Sequence, residues 1–255
     1  MKKKIIQVLS QSGFFDKKSA LIALSEGRIQ VNQKTISSPA YYVDSKKAAI
    51  FLDGQLLKLV REKIYLMMNK PAGLLCQKSP QGQSVYEVLQ VQTVLPEKLK
   101  KTLFAVGRLD QDSTGLLLFT NDGLWAHQIL DPKQQIEKEY QARMEGKLTP
   151  ENIQRLETGV EIPSGEDQRT IYKTQPCRIF KTTQEGHLSA CHIVIQEGKK
   201  RQIRLMLEEV GCRVTGLKRI RIGGLWLRNL REGGCRVLEE EERGLVFNNK
   251  GAGDA

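Results

Sequence analysis

Apolar and polar positions along this chain repeat with two periods, and the switches between them mark its elements. Ile5, Val8 and Leu9 share one helical face, which predicts a helix over residues 2–12 stopped at Gly13. A second short helix is expected from about Lys17 to Glu26, closed by Gly27. "RIQVNQKTI" changes to period two, turns at Asn32-Gln33, and leads through Pro39 to the strand-like "AAIFLDG". The charged, patternless stretch from Lys58 to Lys63 reads as a linker.

Beyond it, "IYLMMNKPAG" reads as a buried strand ending in a Lys-Pro-Ala-Gly turn. "SVYE" at 84–87 has the spacing of a capping box. Strands are expected at Leu103–Val106 and Leu116–Thr120, and a helix capped by Asn121 or Asp122 runs through Leu130 to Asp131-Pro132. "KEYQARMEG" alternates as a strand; "TPENIQRLETG" is a helix with Thr149 as cap, Pro150 first inside and Gly159 after its end. "HLSACHIVIQEG" is a further strand. It delivers the chain to "KKRQIRLMLEEVG", read as a helix with Ile203, Met206, Leu207 and Val210 inward, and then to the alternating "LKRIRIGGLWL". Strands and helices without regular βαβ repeats argue for an α+β protein. The expected division is residues 1–61, residues 62–245, and a disordered tail at 246–255, since "NNKGAGDA" has little to bury.

Composition adds limits. With 255 residues, 40% hydrophobic and 27% charged, the chain can bury a real core. No apolar run approaches the roughly 18–20 residues of a membrane span, and "MKKK" lacks the features of a secretion signal, so a cytoplasmic protein with no membrane partner is expected. Five scattered cysteines without a CxxC pair fit reduced thiols and give no sign of a metal site. Nor does any cofactor signature appear. No coiled-coil pattern is present, and a monomer is expected.

Charge changes the picture most. The 40 Lys and Arg exceed 29 Asp and Glu, giving a formal charge of +11, and the excess is uneven. Residues 1–63 hold 12 basic and 5 acidic residues, and residues 197–221 hold 8 and 3. Two basic regions on one soluble chain point to a polyanionic partner such as nucleic acid.

Against that background "GRLDQDSTGLLLFTNDG" at 107–123 is unusual, because it sets Asp110 between Arg108 and a leucine run. Taken alone, Asp110 reads first as a turn-capping residue before Ser-Thr-Gly. Flanking glycines, apolar strands and the nearby cations favour a functional carboxylate. Asp112 is a second acid two residues on, sharing Asp110's face if the chain is extended, but better read as stabilising the turn with Ser113 and Thr114.

The stretch resembles the G-R-L-D-x-x-[ST]-x-G-L-L signature of pseudouridine synthases acting on ribosomal RNA, the RsuA family. "NKPAG", "KEY" at 138–140, "EGKKRQIRLM" at 197–206 and "LKRIRIGG" at 217–224 follow that family's order. Residues 1–61 resemble the small RNA-binding module named for ribosomal protein S-four, through "LSQSG", "KKSALIALSEGRIQVNQKTI" and "VDSKKAAIFLDG". The resemblance implies a mixed, mostly antiparallel sheet with flanking helices in the larger domain and an isomerase acting on an extruded uridine, with no cofactor. It implies Asp110 as the catalytic acid, attacking the anomeric carbon or removing the neighbouring ribose proton. Arg204 would be Asp110's basic partner and Tyr140 the aromatic over the base. Arg108 would hold phosphate or prop the displaced base, and Ile203 would face the uracil pocket. Lys199, Lys200 and Arg201, with Lys17, Lys18, Arg28 and Lys34 of the first module, would contact RNA. The partner would be ribosomal RNA or an assembly intermediate containing it.

One carboxylate is chemically sufficient for such a reaction. Glycosidases use two because an alkoxide leaves poorly without a proton. Uracil departs as a delocalised anion. Two other readings stay open: a catalytically silent RNA-binding or ribosome-assembly factor, and a hydrolase using Asp110 with Asp112.

Overall fold

The computed structural model describes residues 2–10, 12, 14–15, 17–59, 62–164 and 170–249. The chain separates into two compact units, residues 1–64 with 94–104, and residues 65–93 with 105–255.

In the first unit, helices Ile5–Ser10 and Lys17–Ser25 cover a four-stranded sheet ordered Lys34–Thr35, Ile29–Val31, Ile50–Leu52, Gln55–Leu56. Ile5, Leu9, Leu24, Ile29 and Ile50 form its core. The Asn32-Gln33 turn is as expected, both residues having positive φ (48° and 68°), the geometry that a two-residue hairpin requires. Gly13, expected to stop the first helix, lies outside the described residues. Helix Glu97–Thr102 joins this unit, with Lys98 donating to the Lys58 carbonyl and lying 4.4 Å over the Phe14 ring.

The second unit contains, in chain order, β1 (Tyr65–Lys70), α1 (Val85–Gln92), β2 (Thr114–Thr120), α2 (Gly123–Leu130), β3 (Lys138–Glu145), α3 (Pro150–Thr158), β4 (Arg178–Glu185), β5 (Leu188–Ile195), α4 (Gln202–Glu209), β6 (Arg213–Ile222) and β7 (Cys235–Val237). The sheet runs β4-β5-β3-β6-β2-β1-β7, with Phe104–Val106 also on β2 and Leu225–Trp226 on β6. Pairings along this path are antiparallel except β2 with β6, which is parallel. β1 is buried along its whole length and β2 from Gly115 to Thr120, which is why "YLMMNK" and "GLLLFT" read as unbroken apolar runs instead of alternating.

Local signals hold where they were strongest. Ser84 and Glu87 make the capping box of α1. Asp122 caps α2 through Leu124 N and also accepts from the Tyr65 hydroxyl at 2.9 Å, and Thr149 caps α3. Two expectations are corrected. The chain from Val246 to Asn249 packs: Val246 is fully buried and the Asn249 side chain accepts from Glu137 N at 3.0 Å and donates to Gln135 O at 2.9 Å. Residues 250–255 lie outside the described residues. The helix expected from Lys199 starts at Gln202, whose side chain accepts from Lys199 N and donates to Glu197, holding residues 197–201 in a turn.

Candidate active site

The loop carrying Asp110 is tied down from below. Lys70, at the end of β1, is fully buried, and its Nζ donates to the carbonyls of Pro71 (2.9 Å), Gln111 (3.1 Å) and Ser113 (2.8 Å). Gly73 N donates to Gln111 O at 2.8 Å, and Gln111 Nε2 returns a bond to Gly73 O. Cys76 Sγ donates to Leu109 O and accepts from Leu109 N, each at 3.3 Å. The "KPAG" turn and the "LLC" that follows are thus a cradle for residues 109–113. Burial pulls the Lys70 amine below its ordinary value, and the fields of Cys76, Asp112 and Asp110 oppose that shift. Just past the loop, Gly115 pairs with Arg219 at φ 101°, and a Cβ there would lie 2.2 Å from the Arg219 carbonyl oxygen. Glycine is required.

Above this loop opens a cleft of about 390 Å³, large enough for an extruded nucleotide. Of the residues singled out in the sequence, Asp110, Arg108, Tyr140, Ile203, Lys199 and Arg201 line it. Asp110 is half-buried, and its carboxylate has no ion-pair partner among the described residues. Tyr140 and Ile203 are buried in the wall, whereas Arg108, Lys199, Lys200 and Arg201 are exposed at or near the rim. Arg201 holds a left-handed backbone (φ 55°) at the turn into α4. Five lysines and arginines line the cleft against three carboxylates, which suits a polyanion.

Arg204 departs from expectation. Its guanidinium pairs with Asp112, Nη2 to Oδ2 at 3.1 Å, and reaches Ser113 Oγ (3.4 Å) and Val214 O (3.3 Å), while Asp112 also meets Arg201 at 3.7 Å. Residues 110–113 form a tight turn closed by Ser113 N to Asp110 O, so the two aspartates do not share a face as they would on an extended chain. Asp112 anchors α4 to the motif loop. Asp110 is left free.

Three residues of this cleft were missed. Arg219 is buried, and its Nε donates to Leu116 O at 2.7 Å while Nη1 donates to the Tyr140 hydroxyl at 3.4 Å. Lys138 donates to Ile136 O and Gln196 O, and its pKa is pushed down to about 8, first by burial and then by the Arg219 charge. Glu197 accepts from the Tyr172 hydroxyl, Gln175 N and Gln202 Nε2, fixing the rim. Strand phase was the available signal. Arg219 and Arg221 share the inward phase of Leu217, so part of the basic cluster at 197–221 is interior.

Of the four cations expected to touch RNA in the first unit, Lys17, Lys18 and Lys34 are exposed. Arg28 is exposed but engaged with Asp53, at 2.6 Å, and with Glu26, at 3.3 Å. All five cysteines are free thiols. Among the described residues no cluster of histidine, cysteine or carboxylate has metal-binding geometry, and no helix is long and apolar enough to cross a membrane.

Asp110, without an ion-pair or hydrogen-bond partner for its carboxylate among the described residues, thus shares with Tyr140 a cationic cleft of nucleotide size, an arrangement suited to glycosidic chemistry. Comparisons with known proteins give the family. Residues 64–209 match the RNA pseudouridylate synthase family. The chain is 34% identical over 245 residues to the uncharacterized RNA pseudouridine synthase YtzG of Bacillus subtilis, covering 95% of this chain and 98% of that one. It is 30% identical over 257 residues to ribosomal large subunit pseudouridine synthase B of Bacillus subtilis, covering 98% and 99%. A solved crystal structure of a pseudouridylate synthase superposes with TM-score 0.65 at 25% identity over 95% of this chain and 98% of that one. The chain belongs to the RNA pseudouridylate synthase family, whose members are RNA isomerases. Its α+β fold, with a mostly antiparallel sheet and flanking helices, matches the solved pseudouridylate synthase.

Proposed function

We propose that this protein converts a uridine of ribosomal RNA to pseudouridine as a member of the RsuA branch, with Asp110 as its catalytic residue. The observation that carries the reading is the free Asp110 carboxylate, held by the Lys70 cradle and opening into the cleft lined by Tyr140.

The target uridine swings out of its stack at a cost of a few kcal/mol, met by backbone contacts of the basic surfaces. Tyr140 stacks on the base. The C1′–N1 bond breaks and its electron pair leaves with the base as the uracil anion. Asp110 either bonds to C1′ or takes the C2′ proton. The base turns, C5 bonds to C1′, the C5 proton is lost and N1 gains one; Asp110 leaves C1′ or returns its proton. Atoms and charge are conserved overall. Arg204 acts by holding Asp112 and the motif turn. Ile203 packs beside the base, Arg108 takes phosphate or props the vacated stack, and Lys199, Lys200 and Arg201 take backbone phosphates.

Residues 1–61 are proposed as an S-four-type RNA-binding module, with Lys17, Lys18, Arg28 and Lys34 as its contacts, and residues 62–245 as the catalytic domain. Arg28 would exchange its Asp53 pairing for phosphate. The protein is proposed to act as a cytoplasmic monomer. Relatives named ribosomal large subunit pseudouridine synthase B make large-subunit RNA the first substrate to test. Pseudouridine maps of ribosomal RNA from cells with and without the gene, read by carbodiimide-dependent reverse-transcription stops, should differ at one or a few positions. Identical maps would contradict the proposal.

A further inference from the structure

Two arginines of β6 share one face and differ in their surroundings. Arg221 is neutralised: its Nε meets Glu139 at 2.7 Å, Nη2 meets Glu137 at 2.9 Å, and Nη1 donates to Gly223 O. Arg219, 4% exposed, has no carboxylate within ion-pair distance among the described residues, and its Nη2 has no hydrogen-bond partner. A β-bulge at Glu139/Tyr140 places Tyr140 opposite Arg219 and Glu139 opposite Arg221, so the acid goes to one arginine and the tyrosine to the other.

Lys138 repeats the pattern. It lines the same cleft, hydrogen-bonds only to carbonyls, and has no carboxylate within ion-pair distance among the described residues, Glu197 acting on it only from farther off. The cleft's other acids are committed, Glu197 to Tyr172, Gln175 and Gln202, and Asp131 to capping Lys133 N. A buried arginine and a half-buried lysine with no carboxylate at ion-pair distance among the described residues are better satisfied when an anion arrives. The cleft is therefore an anion seat beside Tyr140.

We propose that Arg219 and Lys138 hold the detached uracil as its anion, stabilising the charge that develops on the base and keeping it in the cleft until C5 reaches C1′. This rests on the pseudouridine synthase reading. The role is electrostatic and forms no bond to either side chain; the electron pair from the broken C1′–N1 bond stays on the base, spread over its ring nitrogens and carbonyl oxygens. A backbone phosphate carries the same charge. The burial of Arg219 in the cleft wall directly across from Tyr140 favours the base.

The test uses full-length protein, an RNA that the wild type converts, and single-turnover kinetics with RNA affinity measured separately. Arg219→Gln should slow conversion at saturating RNA roughly 100-fold, as loss of a preorganised charge does elsewhere, with affinity nearly unchanged. Free uracil and abasic RNA should appear in place of part of the product, which a merely structural role would not produce. Arg219→Lys should restore about tenfold, since it returns charge without the planar fork. Lys138 faces Arg219 from β6 and Glu197 from the loop after β5, and its charge is lost near pH 8. Wild-type rate should fall above that pH, and Lys138→Met should remove the fall. Weaker RNA binding with a shallower salt dependence and an unchanged saturated rate would assign the seat to phosphate and overturn the proposal. So would unchanged rates with no free uracil. If Arg219→Gln fails to fold, Arg219→Lys and Lys138→Met decide by the same readouts. A wild type that makes no pseudouridine defeats the functional reading instead.

Discussion

Lys70→Met isolates the cradle beneath Asp110. Methionine fills nearly the same space but removes the ammonium that bonds the carbonyls of Pro71, Gln111 and Ser113. Hydrogen bonds to a charged group contribute about 1.5–3 kcal/mol each, so three give roughly 5–9 kcal/mol gross. Keeping an ammonium buried, which lowers its pKa here, offsets several kcal/mol of that. The net loss is about 2–3 kcal/mol, which for a unit of this size lowers Tm by roughly 5–10 °C. Differential scanning calorimetry measures this. Well below Tm, kcat should fall about tenfold or more because the Asp110 loop loses its register, while RNA affinity holds. A variant with Tm within about 1 °C of wild type and an unchanged kcat would refute the cradle, since neither stability nor positioning would then depend on the ammonium.

Gly115→Ala drives a methyl into the Arg219 carbonyl 2.2 Å away at φ 101°, so a loss of roughly 3 kcal/mol or more, or insoluble protein, is expected. Asp112→Ala strips Arg204 of its carboxylate; because Asp112 is 52% exposed, the expected cost is only about 1–2 kcal/mol by urea denaturation. That variant should still make pseudouridine and release no uracil, whereas a hydrolase needing both acids would lose activity. Lys138 titrates near 8 in the fold against an ordinary 10.5, so between those values the unfolded chain holds a proton that the fold gives up. Stability from this group therefore rises with pH through that window and is lost below it. The Tm advantage of Lys138→Met over wild type should be largest below pH 8 and shrink toward pH 10.5; a flat difference contradicts the assignment.

What the sequence reveals divides by range. Ser84 with Glu87, Thr149 with Pro150, and Asp122 announce themselves because capping is decided within three or four residues. The Asp110 motif is equally local. Arg204's partner is not: whether Asp110 or Asp112 faces it depends on a turn at 110–113 and on where α4 lands after β5, with Arg204 91 residues beyond Ser113. Lys70 reads only as part of a turn until β1 is seen buried between β2 and β7 and its ammonium is found under the Asp110 loop. The basic run 197–221 reads as surface by composition, yet strand phase buries Arg219 and Arg221. The hairpin of Glu161–Ser164 with Thr170–Lys173 has weak alternation and was not anticipated. Val246 is buried although the chain after Phe247 is polar, and its backbone lies close against Gly223.

The most direct measurement is product formation by Asp110→Asn on an RNA that the wild type modifies. The change keeps size and removes the negative charge. The folded variant should bind the RNA as wild type does and make no detectable pseudouridine, with no mass change in the nucleotide pool. Conversion at even a few per cent of the wild-type rate, where loss of an essential group costs more than about a thousandfold, would contradict a mechanism centred on that carboxylate.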